Sequence, residues 1–188
     1  MNEIEIIKKI SENPEFFAEI IEMYEKKLLR YILKITNVSL EEAENLLQDI
    51  FLKVYTHIND YDAKFPFSSW IYRIAHNLVI DYHRKNKNTC RIEDDGNEDE
   101  LQKLIENIVD EGNNPEEILN KKELINCIQK SLCSLPLKFK EILVFKFIEE
   151  KNYTEISDIL RIPEGTVGTL INRGKKMLKE IILKNKCI

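Results

Sequence analysis

Residues 152–182 read NYTEISDILRIPEGTVGTLINRGKKMLKEII, and the spacing of their apolar side chains decides what the last third of the chain is. Asn152, followed three residues later by Glu155, forms an N-cap and N3 pair that opens a helix at about Tyr153. The break at Arg161, Ile162 and Pro163 stops it, and a longer helix follows. Ile156, Ile159, Leu160, Ile162, Val167, Leu170, Ile171 and Met177 can form one small core across this three-residue turn. A helix-turn-helix needs such a core to hold its second helix proud of the body. Opposite the core, Gly165, Thr169, Asn172 and Lys176 recur at i, i+4, i+7 and i+11, flanked by Gly168, Arg173, Lys175 and Lys179. Small and polar residues at the helix start, followed by cations, fit a helix end entering the major groove, with base edges met early and phosphates later. An ordinary helical hairpin with a solvated basic face fits the same pattern.

Working back from this pair, KELINCIQKSL (122–132) leads to a turn at Pro136 and then to KFKEILVFKFIEE (138–150), both of helical period. Upstream lies a polar stretch from Asn86 to Asn120, punctuated by Gly96, Gly112, Asn113, Asn114 and Pro115, in which only LQKLIENIV could hold a short helix. It lacks the apolar content for a core of its own and reads as a tether or a solvated insertion loop. From Glu93 to Glu123 there are 12 acidic residues against 3 basic ones. The rest of the chain holds 25 basic and 21 acidic residues, so the formal net charge of -5 hides a positive remainder. Leu124 to Ile188 alone carries 12 Lys and Arg against 7 Asp and Glu, the sign expected of a surface that meets phosphates.

The N-terminal part is helical as well. EFFAEIIEMYEKKLLRYILKI (15–35) spaces Phe16, Phe17, Ile20, Ile21, Tyr24, Leu28, Leu29, Ile32 and Ile35 by threes and fours. Ser39, with Glu42 completing a capping box, opens a second helix whose face carries Leu40, Ala43, Leu47, Ile50, Phe51, Val54 and Ile58. NDYDAKFPF (59–67) is a loop, after which Ser68 or Ser69 can cap a third helix from Trp70 to about Lys85. On that helix Ile71, Ala75, Leu78 and Tyr82 share one side, while Arg73, Asn77, Asp81 and Arg84 share another that Lys85 and Lys87 extend. Tyr61, Phe65, Phe67 and Trp70 stand in or beside the loop. Aromatics beside a cationic stripe are what a single-stranded nucleic acid site requires, because unstacked bases must be pocketed while their backbone is neutralised. For Phe67 and Trp70, plugging the helical core is the competing role.

With 188 residues, 5 Gly and 5 Pro, the chain has room for one or two small domains and few turns, which favours helices over a many-stranded sheet. The expected fold class is all-α: an N-terminal helical bundle and a C-terminal helix-turn-helix domain, joined by an acidic flexible linker. No run reaches the ~18 apolar residues of a membrane span, and MNEIEIIKK has neither the apolar core nor the cleavage site of a signal peptide. Cytoplasmic location and no membrane insertion are expected. Cys90, Cys127, Cys133 and Cys187 form no CxxC pair and no His stands at metal-ligand spacing from them, so buried or incidental thiols, and no metal, are expected. There is no HExxH, Gly-rich phosphate loop or GxSxG, and His57, His76 and His83 have no evident nucleophile or carboxylate partner. An enzyme, catalytic residues and a cofactor are therefore not expected.

AENLLQDIFLKVY, then FSSWIYRIAHNLVIDYHRKNK, an acidic linker, and LPLKFKEILVFKFIEEKNYTEISDILRIPEGTVGTLINRGKKMLKE together resemble the extracytoplasmic-function (ECF) sigma factors of bacterial RNA polymerase, over roughly residues 10–90 and 124–182. The resemblance implies a region 2 domain over residues 1–90 that binds the core polymerase and melts the minus-ten element. It also implies a linker over 91–122 that can thread the cationic RNA channel, and a region 4 domain over 123–188 that reads the minus-thirty-five element. Residue by residue, it assigns polymerase binding to Glu44, Leu47, Gln48, Phe51 and Leu52. Minus-ten contacts fall to Asp60, Tyr61, Asp62 and Lys64 of the loop and to Asn77, Asp81, Arg84 and Lys85 of the helix. Minus-thirty-five contacts fall to Gly165, Thr166, Gly168, Thr169, Asn172, Arg173, Lys175 and Lys176. The implied partners are core RNA polymerase and promoter DNA, both as duplex and as melted nontemplate strand, with an anti-sigma factor as a further partner open to such a protein.

Three positions depart from the family's pattern. Gly168 and Leu170 stand where it commonly carries basic residues, and Asn45 replaces a frequent aspartate. Gly168 and Gly174 each weaken their helix by roughly 1 kcal/mol relative to Ala. A conventional helix-turn-helix regulator, binding a palindromic duplex without polymerase, shares only the C-terminal half of the pattern. A helical enzyme or ligand-binding module finds no paired catalytic groups here.

Overall fold

Every regular element among the described residues is helical, as the sequence predicts. The computed structural model describes residues 3–10, 13–85 and 121–185. The acidic stretch, with its candidate helix LQKLIENIV, lies outside them, as do Cys90 and Cys187. The chain divides into two compact units.

The N-terminal unit is built from α1 (Glu3–Ile10), α2 (Phe17–Thr36), α3 (Leu40–Thr56) and α4 (Phe67–Lys85), with single 3-10 turns at Pro14–Phe16 and Ile58–Asp60. α2, α3 and α4 pack on one another as a three-helix bundle, and α1 lies against α2. Its core is Ile20, Leu28, Tyr31, Ile32 and Ile35 of α2, Ala43, Ile50 and Val54 of α3, and Phe67, Ile71, Tyr72, Ala75 and Val79 of α4. Burying each large side chain of this set stabilises the fold by about 1.5–3 kcal/mol. α2 stops at Asn37, whose left-handed backbone (φ 55°) lets its N–H donate to Leu33 O, a residue type that tolerates this geometry. α3 begins with the expected capping box: the Glu42 N–H donates to Ser39 Oγ, and the Ser39 N–H to Glu42 Oε2.

Three details differ from the sequence reading. α1 goes beyond the sequence reading: Ile6 and Ile10 are buried, because α2 lies against EIEIIKKI (Glu3–Ile10) and covers one helical face. α4 starts at Phe67 rather than Trp70, since the carbonyl of Pro66 already accepts the N–H groups of Ser69 and Trp70. Ser69 is thus a buried residue inside the first turn and not a cap. Leu40, placed on the apolar face by its spacing, is 48% exposed at the first position of α3.

The C-terminal part of the chain comprises α5 (Lys121–Cys133), α6 (Leu137–Leu143) continued by a π-helical turn over Val144–Ile148, α7 (Tyr153–Leu160) and α8 (Glu164–Lys184). α8 packs along both α5 and α6. The Asn152 and Glu155 pair caps α7 reciprocally, each backbone N–H lying 2.9 Å from the other's side-chain oxygen. The turn is closed by Ser157, whose carbonyl accepts the Ile162 N–H while its hydroxyl donates to Ile162 O at 2.6 Å, and Arg161 takes φ 53° to make the corner.

The register of the α8 core also differs. Val167, Ile171, Gly174, Leu178 and Ile182 are buried, whereas Leu170 and Met177 are half-exposed. The buried line follows the seam against Leu143, where a Cβ at Gly174 would stand 3.2 Å from Leu143 Cγ and 3.4 Å from both Cδ atoms. The glycine that costs helix propensity therefore permits helix contact. Cys127 and Cys133 are each disulfide-bonded, which overturns the expectation of unpaired thiols. Six residues of helix separate their Cα atoms by about 9 Å, beyond the ~7 Å reach of a disulfide, so local spacing gave no sign of any pairing.

Candidate polymerase and nucleic-acid interfaces

The face of α3 that turns away from α4 is the wall of an open groove between α2 and α3, about 490 Å³ in volume. All five residues expected at the polymerase line it: Glu44, Leu47, Gln48, Phe51 and Leu52. They divide by depth. Leu47 and Phe51 are buried and form the floor, while Glu44 and Gln48 are exposed on the rim and Leu52 is 62% exposed. Phe17 and Ile21 of α2 and Tyr55 of α3 also line the groove and were not picked out from the sequence. The Phe17 ring meets Phe51 and Tyr55 edge-on, at 6.3 and 5.1 Å between centroids. Tyr55 lies one turn beyond Phe51 on the same face, a signal that was legible. An apolar floor between helices with polar edges suits an amphipathic helix laid along it.

The loop between α3 and α4 is held by its own atoms. Asp62 accepts the Lys64 N–H on its side chain at 3.0 Å and the Phe65 N–H on its carbonyl at 3.1 Å. The Tyr61 hydroxyl donates to Phe65 O at 2.7 Å, closing the turn from the other side. Asp60, Asp62 and Lys64 are exposed, and Phe65 is 50% exposed; Lys64 Nζ is 3.9 Å from Asp62 Oδ2. Tyr61 itself is turned inward, against Phe67 at 5.2 Å and Trp70 at 5.7 Å. Burial, the Glu3 carboxylate and the Asp62 carboxylate all raise its pKa above the usual phenol value, so the hydroxyl remains a donor. Phe67 and Trp70 are 1% and 7% exposed, so both are core residues rather than an open stacking platform. Past the loop, Asn77, Asp81, Arg84 and Lys85 are exposed along α4. Arg84 is paired with Asp81 at 3.0 Å, one turn apart, an exposed ion pair worth about 0.2–1 kcal/mol that a phosphate can displace.

In the C-terminal unit, Gly165, Thr166, Thr169, Asn172, Arg173 and Lys176 are exposed on α8, and Gly168 and Lys175 are half-exposed. Pro163 precedes the helix with no side-chain cap; its carbonyl accepts the Thr166 and Val167 N–H groups, and the Glu164 and Gly165 N–H groups ahead of them face the kind of position an anion can take. The Thr169 hydroxyl donates to Gly165 O at 2.9 Å, one turn back along the helix. Lys175 lies over the Phe147 ring, with Nζ 5.9 Å from the centroid. A second pair was not foreseen: the Tyr153 ring lies against Gly168, with a Cβ there meeting Tyr153 Cε2 at 3.5 Å, and Lys146 Nζ stands 5.3 Å from the ring centroid. Tyr153 is 42% exposed. A cation thus reaches the start of α8, whose first eight residues contain none. The contact joins three separate elements, so no local pattern announced it.

Residues 20–89 match the family model Sigma-70 region 2, and residues 125–178 match Sigma-70, region 4, together more than half of the chain. The chain is 35% identical over 175 residues to the ECF RNA polymerase sigma factor SigW of Bacillus subtilis, covering 93% of each. It is 32% identical over 163 residues to SigM of the same organism, covering 87% of this chain and 93% of SigM. Among solved structures, CnrH in complex with the cytosolic domain of CnrY superposes with a TM-score of 0.66 at 18% identity, covering 93% and 92% of the two chains. The sigma factor RpoE, in complex with the anti-sigma factor NepR from Bartonella quintana, superposes at 0.61 with 16% identity, covering 88% and 95%. Those two likenesses concern the fold, whereas the sequence matches span both halves in one order: the chain belongs to the ECF family of RNA polymerase sigma factors.

Proposed function

We propose that this chain confers promoter specificity on core RNA polymerase and opens the promoter as part of the holoenzyme. The observation that carries this reading is the pairing, in one chain, of an exposed turn and polar stripe on the N-terminal unit with an exposed recognition stripe on α8. The α2 and α3 groove takes a helix of the polymerase clamp, with Leu52, Gln48 and Glu44 at its rim as the specificity contacts. Asp60, Asp62 and Lys64 of the turn, with Tyr61 behind them, engage a base drawn from the nontemplate strand, and Asn77, Asp81, Arg84 and Lys85 follow its backbone. Gly165, Thr166, Gly168, Thr169 and Asn172 meet base edges of the minus-thirty-five duplex, while Arg173, Lys175, Lys176 and Lys146 meet phosphates.

Unstacking costs a few kcal/mol per step and is offset here by base capture and polymerase contacts, not by nucleotide hydrolysis. The chain is accordingly not an enzyme, and acts in the cytoplasm; no helix among the described residues is long and apolar enough to cross a membrane. Residues 1–90, 91–122 and 123–188 serve as the minus-ten domain, an acidic strap and the minus-thirty-five domain. An anti-sigma factor is the second proposed partner, supported by the NepR complex of a protein with the same fold. Permanganate footprinting on a promoter library tests this function: reactive nontemplate thymines should appear with core polymerase and this chain together and with neither alone. No opening on any promoter contradicts it.

A further inference from the structure

α1 is absent from the expected machinery, yet a continuous line of side chains runs from it to the minus-ten turn. Glu3, in its first turn, accepts the hydroxyl hydrogen of Tyr24 on α2. The Tyr24 ring is buried and meets Phe67, the first residue of α4, edge-on at 5.7 Å between centroids. Phe67 in turn carries Tyr61 edge-on at 5.2 Å, and Trp70 stands beside it at 5.5 Å with the ring planes tilted by 31°. Tyr61 then holds the turn shut through its bond to Phe65 O. Each ring contact is directional, because the positive edge of one ring seeks the negative face of the next, so fixing Tyr24 restricts Phe67 and through it Tyr61.

Two charged groups act at the start of this line: Glu3 on the Tyr24 hydroxyl, and Lys27, whose Nζ stands 5.6 Å from the Tyr24 ring centroid. A hydrogen bond to a carboxylate is roughly twice as strong as one between neutral groups, and it sets the Tyr24 ring plane. The field of Glu3 also acts on Tyr61, in the direction that keeps its hydroxyl protonated and donating to the turn.

We propose that Glu3 is a positioning residue for promoter opening: through Tyr24 and Phe67 it fixes the Tyr61 ring against which the Asp62–Pro66 turn is set, and so sharpens base selection at the minus-ten element. This rests on the minus-ten role given to the turn above. Glu3 touches no DNA in this scheme. Its influence is confined to one element of the promoter, which separates positioning from general support of the fold.

The test uses holoenzyme reconstituted from full-length chain and core polymerase, with transcription from two libraries, one randomised in the minus-ten element and one in the minus-thirty-five. Glu3→Ala and Tyr24→Phe should each lower discrimination at the base captured by the turn about fivefold to tenfold, leaving minus-thirty-five preference and polymerase affinity unchanged. Glu3→Gln, which keeps an acceptor, should retain most of the discrimination. Trp70, the single tryptophan, gives a second readout in the chain alone: its quenching by iodide should rise in Glu3→Ala and Tyr24→Phe while far-ultraviolet circular dichroism stays the same.

Unaltered minus-ten preference and unaltered quenching in Glu3→Ala overturn the proposal. So does an equal loss on both libraries with a lowered melting temperature, which marks a merely structural residue. Asp62→Ala in parallel separates this failure from failure of the underlying reading: if Asp62→Ala also leaves the minus-ten preference intact in an active holoenzyme, the turn does not read the element, and the role of Glu3 falls with it.

Discussion

Gly174 sits so close to Leu143 that an added Cβ would meet three atoms of that side chain at 3.2–3.4 Å. Leu143 is fully buried in α6 and has little room to yield. Gly174→Ala should therefore destabilise the C-terminal unit by about 1–3 kcal/mol, despite the better helix propensity of alanine. Gly168→Ala should do the reverse, because its Cβ would find Tyr153 at an ordinary 3.5 Å; a gain of up to about 1 kcal/mol is expected. Urea unfolding followed by circular dichroism, whose second transition can be assigned with the two variants, checks both signs.

Ser39 and Glu42 satisfy each other's backbone N–H groups at the head of α3. Ser39→Ala should cost about 0.5–2 kcal/mol. The loss should register in the Trp70 fluorescence transition, since that residue lies in the N-terminal unit.

The five groove residues should separate into two classes. Leu52→Asp, at a largely exposed rim position, should weaken core polymerase binding at least tenfold, about 1.4 kcal/mol, with the melting temperature unchanged. Phe51→Ala, at the buried floor, should instead lower stability by about 3–5 kcal/mol. Polymerase pull-down titrations set beside thermal melts distinguish them.

On α8, Arg173 is exposed and makes no ion pair among the described residues. Arg173→Ala in the holoenzyme should weaken binding to minus-thirty-five duplex and lower the slope of log affinity against log salt by about one. Lys146→Ala should do the same through the Tyr153 shelf, and an unchanged slope for it would remove that residue from the interface.

What the sequence disclosed was mostly local. The Ser39 and Asn152 caps depend on residues three apart, and both form as read. The exposed stripe of α8 follows from helical period alone. What it concealed depends on contacts between elements. The choice of Leu178 over Met177 for the core is made by the seam at Gly174 and Leu143, which no single-helix pattern contains. The start of α4 is set by the Pro66 carbonyl rather than by either serine. Tyr61 faces inward because Phe67 and Trp70 are there to receive it, and the Lys146 shelf exists only once Gly168 and Tyr153 meet. The groove lay between: its α3 wall could be named, its α2 wall at Phe17 and Ile21 could not.

The central claim is that this chain directs a polymerase rather than acting on duplex DNA by itself. Run-off transcription with purified core polymerase, with and without the chain, measures this directly on templates bearing both promoter elements. Specific initiation should appear only when the chain is present, and should vanish when Asp62 and Arg173 are replaced together. Tight, sequence-specific duplex binding by the chain alone, with no transcript from any template in the presence of core polymerase, would contradict it.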